Sequence, residues 1–292
     1  MIKEYTQEFP IIEITKQQLE VFIVDTDEAK QIALPHIHKA LEFLYILKGR
    51  YKMFANNEEF FVSEGDLCLF RSETVHRTYT LDSDGGSYLV IKIEPSIILN
   101  LVNEEYGISY IMQFMMHRDD IKVKWSKKEL CGSEIQNAVK KIHDEYISDS
   151  FAKDYAMKIY ASNLLLEILR YESSGTHNEA VQSGNVALTK QIYKAIVFIN
   201  DNYANNISVA ECAEFVNMSY SYFSRSFKRI TRKSFREYIN YVRINQAEKL
   251  LLSTDKSITD ICFACGYNDE SYFIAQYKKL RGKTPYSYRN GV

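Results

Sequence analysis

A stretch of eighteen residues occurs twice near the end of the chain, and this duplication constrains the fold more than any other feature. Residues 221–238 read SYFSRSFKRITRKSFREY, and residues 271–288 read SYFIAQYKKLRGKTPYSY, at an offset of fifty positions without a gap. A duplicated supersecondary unit defines the local architecture before residue propensities are considered. Two copies indicate a tandem pair of units and not a solenoid.

Each copy has the pattern of the second half of a helix-turn-helix. Before the first copy, ISVAECAEFVNMS has apolar residues at helical spacing, a capping box formed by Ser208 and Glu211, and a turn at Asn217. Before the second copy, SITDICFACGYND has a cap at Ser257 and a turn at Gly266. Glycine suits a tight bend between two helices because it tolerates positive φ. The sequence therefore predicts two helix-turn-helix units.

Charge separates the chain into two halves of opposite sign. From residue 188 to the end there are 16 Lys and Arg against 9 Asp and Glu, a net charge of +7, whereas the preceding residues carry a net charge of −9. The total of −2 conceals this division. A basic half with tandem helix-turn-helix units has the sign and the elements that bind a phosphate backbone and enter a major groove.

Residues 188–292 resemble the DNA-binding domain of the AraC/XylS family of bacterial transcription regulators, in which a long central helix joins two helix-turn-helix units. The matching residues are SYFSRSFK at 221–228, Ser234, Phe235, Tyr238, Arg243, Ala247, Leu250, Leu251, Ile258, Asp260, Ile261, Gly266, Tyr267, SYF at 271–273, Thr284, Pro285, Tyr288 and Arg289. The central helix is expected at residues 235–252. A stiff connector would place the two recognition helices in adjacent major grooves, about 34 Å apart.

The resemblance also implies which residues contact DNA. The first recognition helix is expected at residues 219–229. The residues that face the bases are Ser221, Ser224 and Arg225, and those nearer to phosphates are Tyr220, Lys228 and Arg229. In the second copy Ala275 replaces the arginine, and the predicted exposed residues are Glu270, Ser271, Ile274 and Gln276, with Lys278, Lys279, Arg281 and Lys283 holding the backbone. Arginine is the strongest reader of guanine, so we expect specificity from the first unit and salt-dependent affinity from the second.

Length and composition are those of an ordinary globular protein with two cores. The chain has 292 residues, of which 46% are hydrophobic and 25% charged. It contains no apolar run of about 18 residues, and no apolar segment or cleavage site follows the charges of its first ten residues. We therefore expect a cytoplasmic protein with no membrane partner.

Five cysteines are scattered through the sequence, and two of them form a CxxC at Cys262 and Cys265. This spacing occurs in zinc and redox sites. However, no histidine follows His177, and Cys212 is the one further cysteine in the basic half. We therefore predict that both CxxC thiols are buried in the core of a helix pair.

The first 95 residues have the pattern of consecutive β-strands. The segment FLYILKGRYKMFANNEEFFVSEGDLCLF is broken at Lys48-Gly49, Asn56-Asn57 and Glu64-Gly65-Asp66, and a further strand pair, HRTYTL and SYLVIKIE, flanks a turn at residues 82–86. Short strands at regular spacing predict an antiparallel barrel or sandwich.

A group of polar residues in this region resembles the two motifs of the cupin barrel. Its members are His36, His38, Glu42 and Gly49 in the first motif, and Gly65 and His76 in the second. In metal-binding cupins the matching histidines and carboxylate hold a divalent ion, for which imidazole and carboxylate are suitable ligands. The second motif departs from that pattern at Arg71, Glu73 and Thr80. Three interpretations remain: a polar effector pocket, structural polar residues, and a metal site.

The remaining sequence completes an α+β multidomain organisation: a cupin-like barrel at 1–95, a helical segment at 96–172, a linker at 173–187, and an all-α tandem helix-turn-helix domain at 188–292. The helix expected at 151–171 has an apolar surface too wide for one neighbour. In the resembling family, helices at this location often form the homodimer contact. The alternative is packing against the barrel.

We interpret the chain as a ligand-responsive transcription regulator that acts as an activator and as a homodimer. Its expected partners are double-stranded DNA, a small metabolite such as a sugar, and RNA polymerase. The resemblance implies no catalytic activity and no cofactor. A different class remains as the alternative, a metal-dependent cupin enzyme fused to a DNA-binding module. A third interpretation is a ligand-independent regulator whose barrel serves only to hold the dimer together.

Overall fold

The computed structural model describes residues 18–26, 31–36, 38, 40–55, 58–72, 74–102, 104–115, 122–174 and 186–290. Four features of the sequence analysis lie outside the described residues: the expected strands within 1–17, the Asn56-Asn57 turn, Glu73, and linker residues 175–185. Strands and helices are numbered below in chain order.

Within the described residues, nine antiparallel strands form two sheets in the first part of the chain. They are β1 (Leu19–Thr26), β2 (Gln31–His36), β3 (Leu41–Lys48), β4 (Arg50–Ala55), β5 (Glu58–Ser63), β6 (Leu67–Phe70), β7 (His76–Thr80), β8 (Gly86–Ile93) and β9 (Lys124–Trp125). The strand order is β1-β8-β3-β6-β9 in the larger sheet and β2-β7-β4-β5 in the smaller one. The predicted antiparallel β architecture is thus present, and β9 joins it from beyond residue 95.

The predicted pairing of HRTYTL with SYLVIKIE is wrong. These segments are β7 and β8, and they lie in different sheets: β7 pairs with β2 and β4, whereas β8 pairs with β1 and β3. The turn between them therefore crosses from one sheet to the other. Gly86, at the start of β8, stands against the Lys48 carbonyl, which a Cβ atom would approach to 2.5 Å. This close approach requires glycine at the crossing.

The larger sheet is covered on both faces, which explains why β3 and β8 are almost continuously apolar. On one face, side chains such as Phe43 and Ile91 pack against helices. On the other, side chains such as Leu44 and Val90 line the interior between the two sheets. Alternation along a strand sends neighbouring residues to opposite faces. Glu42 of β3 and Lys92 of β8, which share this parity, therefore point into the interior.

Helices follow the sheets and form the second layer and the DNA-binding domain. After a 3₁₀ helix (Pro95–Asn100), they are α1 (Glu104–Met115), α2 (Lys127–Leu130), α3 (Glu134–Ile147), α4 (Lys153–Ser174), α5 (Val186–Asn202), α6 (Val209–Phe215), α7 (Tyr220–Thr231), α8 (Phe235–Ser253), α9 (Ile258–Ala264), α10 (Glu270–Arg281) and α11 (Pro285–Arg289). Helices α3 and α4 cover the larger sheet. Among the described helices, none combines the length and apolar character needed to cross a membrane.

The duplicated segment folds as two helix-turn-helix units, α6–α7 and α9–α10, joined by α8. The predicted capping box is present at α6, where the Ser208 side chain accepts from the Glu211 N–H and the Glu211 carboxylate accepts from the Ser208 N–H. Both turns have left-handed backbone, with φ of 54° at Asn217 and 81° at Gly266. The local chemistry predicted from the sequence is therefore confirmed in both copies.

Helix α1 belongs to two hydrophobic cores. Ile111 and Phe114 are buried in the core beneath the larger sheet. Ile108 and Met112, on another face of the same helix, are buried with Ile192 and its neighbours in the core of the first helix-turn-helix unit. The helix is thus shared by the two parts of the molecule.

Candidate DNA interface and effector site

Helix α7 presents its basic face to solvent because its aromatic face is buried. Phe223 and Phe227 are fully buried in the unit core. Spacing of three and four residues places a helix's side chains on one face, so Arg225, two residues after the first ring, turns outward. The structure places the predicted contact residues of this helix as follows: Ser224 is half-buried, and Tyr220, Ser221, Arg225, Lys228 and Arg229 are exposed.

Helix α10 presents a less basic exposed face than α7. Ala275 occupies the position of the arginine, and Glu270 accepts a hydrogen bond from Thr259 Oγ1 of α9 at 2.6 Å, so part of its acceptor capacity is already used. The remaining predicted contact residues divide into two sets: Ser271, Ala275, Lys278 and Lys279 are exposed, and Glu270, Ile274 and Gln276 are half-buried.

The amino ends of the two recognition helices also differ. In α10 the Asp269 carboxylate caps the helix by accepting from the Tyr272 N–H at 2.6 Å. In α7 the N-terminal residue is Ser219, whose side chain makes no capping hydrogen bond within the described part of the chain. Unsatisfied N–H groups and the helix dipole favour an anion at such an end. A DNA phosphate is therefore favoured at α7, whereas Asp269 repels one at α10.

A basic cleft of about 610 Å³ runs between the two units along the start of α8. Four cations line it, namely Arg232, Lys233, Arg236 and Lys279, together with Ser234, Glu237, Asn240, Tyr272, Gln276 and Leu280. The sequence analysis missed the first three of these cations. Their signal was the RKSFRE segment inside the first repeat, between the recognition helix and the connector. Such a cleft suits the phosphates that separate two adjacent major grooves.

The two units are held in one relative orientation by contacts with the loop at residues 203–205, which precedes α6. Arg243, in the middle of α8, donates to the carbonyl oxygens of Tyr203 (2.8 Å) and Asn205 (3.0 Å). Burial lowers the pKa of Arg243. Gly266 of the second unit abuts the same loop, because a Cβ atom there would lie 2.6 Å from the Ala204 carbonyl oxygen. Both α8 and the turn of the second unit therefore contact the loop at residues 203–205 of the first unit.

The expectation that Arg281 holds the DNA backbone is wrong. Its guanidinium is buried beneath α10, where Nη2 donates to Asn245 Oδ1 (2.6 Å) and to Glu248 Oε2 (2.7 Å) of α8. The physical reason is helical spacing: Arg281 lies four residues after the buried Tyr277 and so shares its inward face. Arg281 therefore orients the second recognition helix instead of contacting phosphate.

The CxxC residues are buried thiols, as predicted. Cys262 and Cys265 are both fully buried, and both are reduced. Burial raises the pKa of Cys265 to about 12 and also raises the pKa of Cys262. Cys212 lies in the core of the other unit. The three cysteines therefore do not assemble a zinc site.

The sensor residues converge on one carboxylate oxygen between the two sheets. Glu42 Oε2 lies 2.5 Å from His38 Nε2, 3.3 Å from His76 Nε2 and 3.4 Å from Lys92 Nζ. All four side chains are buried. The strand register explains part of this meeting, because Glu42 and Lys92 are directly opposite each other in the β3–β8 ladder.

Backbone carbonyl groups orient both imidazole rings. His38 Nδ1 lies 3.1 Å from the Ala40 carbonyl oxygen, and His76 Nδ1 lies 2.9 Å from the Thr74 carbonyl oxygen. Each Nε2 is thereby directed toward the carboxylate. Aromatic rings form the surrounding wall, with Phe70 stacked on His76 at 4.2 Å and Lys92 Nζ lying 5.8 Å from the centre of the Phe22 ring.

The fourth residue of the sequence motif, His36, lies on β2 opposite His76 in the backbone register. Its side chain lies outside the described residues. Sequence analysis missed Lys92, although its signal was present: a lysine within the apolar strand SYLVIKI, at the same parity as the inward-facing Tyr88 and Val90. The nearby Glu42 carboxylate adds to the effect of burial in raising the pKa of Tyr88.

The cluster matches a metal site in the types of its donors but not in its spacing. His38, Glu42 and His76 offer ligand atoms within 4.8 Å of one another, and each Nδ1 is held as metal-bound imidazoles require. However, ligands at about 2.1 Å in tetrahedral geometry stand roughly 3.4 Å apart, well beyond the 2.5 Å between His38 and Glu42. The Lys92 ammonium would also repel a divalent ion. The arrangement fits a hydrogen-bonded charge cluster better.

Comparison with known proteins identifies both parts of the chain. The model of the AraC-like ligand binding domain matches residues 22–165, and a helix-turn-helix domain model matches residues 212–291. A regulator from Pseudoalteromonas carrageenovora, the uncharacterized HTH-type transcriptional regulator in the cgkA 5'region, is 34% identical over 118 residues, 40% of this chain and 68% of that protein. The chain belongs to the AraC/XylS family of transcription regulators. The resemblance inferred from the repeats is therefore confirmed.

Two further comparisons extend over most of this AraC-family regulator. The melibiose operon regulatory protein of Escherichia coli strain K12 is 24% identical over 259 residues, covering 87% of this chain and 82% of that protein. The crystal structure of ToxT from Vibrio cholerae O395 aligns with a TM-score of 0.50 at 13% identity, over 94% of this chain and 98% of that chain. The second likeness supports the fold, a β-sheet ligand domain followed by a helical DNA-binding domain.

Proposed function

We propose that this AraC-family regulator reads DNA chiefly through α7, senses a small neutral hydroxylated metabolite in the barrel, and activates transcription as a cytoplasmic homodimer that contacts RNA polymerase. The observation that supports sensing is the buried cluster around Glu42. The observation that supports DNA reading is the basic face formed by α7 and the cleft beside α8.

A neutral hydroxylated effector follows from the charge balance of the cluster. The Glu42 carboxylate is matched by the Lys92 ammonium, so a charged ligand would leave one buried charge uncompensated. A hydroxyl group both donates and accepts, so one placed beside this pair can donate to Glu42 and accept from Lys92. The melibiose operon regulator among the relatives supports a sugar as the first compound to test.

The effector proposal is tested with paired lysine variants. Lys92→Met removes the buried donor, whereas Lys52→Met removes a lysine of β4 that pairs with Glu59 of the edge strand β5 in the smaller sheet. Thermal shift would be measured against a panel of mono- and disaccharides that includes melibiose. We expect one sugar to stabilise the parent and Lys52→Met, and not Lys92→Met or Glu42→Gln. Equal thermal shifts in the parent and all three variants, each shown to be folded, would place the effector elsewhere.

The metal-dependent enzyme remains a second candidate because the two imidazoles and the carboxylate are suitable ligands. Its test is metal analysis of protein purified without chelators. We expect less than stoichiometric metal, and the same content in the parent and in a His38→Gln variant. One retained divalent ion per chain that is lost in His38→Gln would favour the metal site.

The homodimer proposal is supported by an exposed apolar stripe on α4. Leu164 and Ile168 of this helix are buried against the barrel layer. On the opposite face Tyr155, Ile159 and Leu166 are 70%, 48% and 42% exposed. Their spacing of four and seven residues aligns them along the helix. A second copy of the same stripe offers a matching apolar surface.

A further inference from the structure

The barrel cluster and the DNA-binding core are joined by a short path of direct contacts. At the barrel end, His76 Nδ1 lies 2.9 Å from the Thr74 carbonyl oxygen, and the Thr74 N–H donates to the Arg71 carbonyl oxygen at 3.1 Å. His76 itself contacts Glu42. A change in the position of His76 therefore displaces the loop that carries Arg71.

Arg71 connects this loop to α1. Its Nη1 donates to the carbonyl oxygens of Gln113 (3.0 Å) and Phe114 (3.3 Å), which belong to the last turn of that helix. Carbonyl groups in a last turn have no partner within the helix, and the dipole favours a cation there. Arg71 is 5% exposed, so water screens the contact little.

Helix α1 carries the path into the DNA-binding domain. Ile108 and Met112 are each 3% exposed and pack with Leu188 and Ile192 of α5. Helix α5 packs in turn on α6 and α7 of the first helix-turn-helix unit. A cavity of about 460 Å³ lies beside α1, lined by Ser72 and Ile111 on one side and by α5 and α8 on the other. The helix therefore has space to shift on that side.

We propose that Arg71 is a positioning residue that couples the barrel cluster to the DNA-binding domain by holding the carboxyl end of α1. The inference rests on the proposed function in one respect, that the effector binds at the cluster. Effector contacts that move His76 would shift the Arg71 loop, and the cation would carry α1 with it. Ile108 and Met112 would then change the packing of α5 against the first unit.

The test replaces the unidentified effector with a substitution in the cluster. His76→Gln is introduced into the parent chain, into Arg71→Gln and into Arg50→Ala, and amide hydrogen exchange is followed in α1 and α5. Arg50 provides the matched control because it forms an exposed ion pair with Asp82, away from α1. We expect His76→Gln to change α5 exchange by about two- to thirtyfold in the parent and in Arg50→Ala. In Arg71→Gln the same substitution should leave α5 exchange unchanged.

Two outcomes would overturn the proposal. An equal change in all three backgrounds would show that the signal bypasses Arg71, and no change in any background would show that the cluster and the DNA-binding domain are uncoupled. If Arg71→Gln fails to fold, Met112→Ala tests the other end of the path and should also suppress the response in α5. Because no effector is used, failure of this coupling is distinguishable from failure of the sugar in the thermal shift assay.

Discussion

The buried ion pair between Arg281 and Glu248 shows how one residue can determine the position of a reading helix. Burial disfavours the charged guanidinium, but the Glu248 carboxylate and its hydrogen bond together raise the pKa of Arg281. Asn245 supplies a second acceptor. A buried pair of this kind contributes modestly when intact, yet removal of one partner leaves an uncompensated charge in the core.

We predict that Glu248→Ala lowers the free energy of unfolding by about 3–5 kcal/mol, because the Arg281 cation stays buried without its carboxylate. Replacing both partners, Glu248→Leu with Arg281→Met, should cost less than Glu248→Ala alone. Urea unfolding of the full chain, followed by circular dichroism, measures both variants. A double variant that loses as much stability as Glu248→Ala would show that the unpaired charge of Arg281 is not the source of the loss.

At the scale of elements, two glycines of the second unit, one in its turn and one at the end of α10, use the same backbone conformation under different packing. Gly266 and Gly282 both have positive φ, 81° and 73°. A Cβ atom at Gly266 would meet the Ala204 backbone at 2.6 Å, whereas nothing lies within 4 Å of a Cβ atom at Gly282. Gly266 is thus restricted by conformation and by contact, and Gly282 by conformation alone.

We predict that Gly282→Ala lowers stability by about 1 kcal/mol, the cost of left-handed backbone for a residue with Cβ. Gly266→Ala should cost more than twice as much, because the Ala204 backbone must also move. Thermal unfolding of the two variants compares them directly. Similar losses would mean that the loop at Ala204 yields easily and does not fix the second unit.

The exposed stripe on α4 makes a second prediction at this scale. Ile159→Asp places a charge in the proposed interface and should shift the protein from dimer to monomer in sedimentation experiments. The matched control is Ile147→Asp, since Ile147 is 64% exposed at the end of the neighbouring α3. A dimer that persists in Ile159→Asp, or a loss that Ile147→Asp shares, would contradict the assignment of this stripe.

For the whole molecule, the two units are similar in fold and different in chemistry. The first offers Arg225 on an uncapped helix, and the second offers Ala275 on a helix capped by Asp269. Both flank the same basic cleft. We therefore propose that the second unit supplies chiefly phosphate contacts and that direct base reading belongs to the first.

We predict that Arg225→Ala costs about 1–3 kcal/mol on the preferred DNA site and relaxes specificity at one base pair. Lys279→Ala should weaken all sequences alike and lower the salt dependence by about 0.9 per lost phosphate contact. Fluorescence anisotropy at several salt concentrations measures the DNA affinity of both variants. Lys140→Ala, at an exposed lysine of α3, is the control for the loss of one positive charge. A uniform loss in Arg225→Ala would assign that residue to phosphate.

The features that sequence predicted best depend on neighbours within a few residues. The capping box at Ser208, the left-handed turns at Asn217 and Gly266, and the helices of both repeats follow from local hydrogen bonding and periodicity. The motif residues His38, Glu42 and His76 were also recognised, and the structure brings them together. Local signals of this kind are present in the chain before it folds.

What the sequence by itself determined, then, was the tandem repeat, its helices, and the kinds of side chain at each surface. Only the tertiary structure decided which of those side chains are available, because availability depends on partners distant in the chain. Arg281 looks like a phosphate contact until Glu248, 33 residues away, is placed beneath it. Lys92 looks like an ordinary strand residue until the β3–β8 register sets it against Glu42. In both cases burial beside an opposite charge, which no local pattern encodes, places in the interior a residue type that usually lies at the surface.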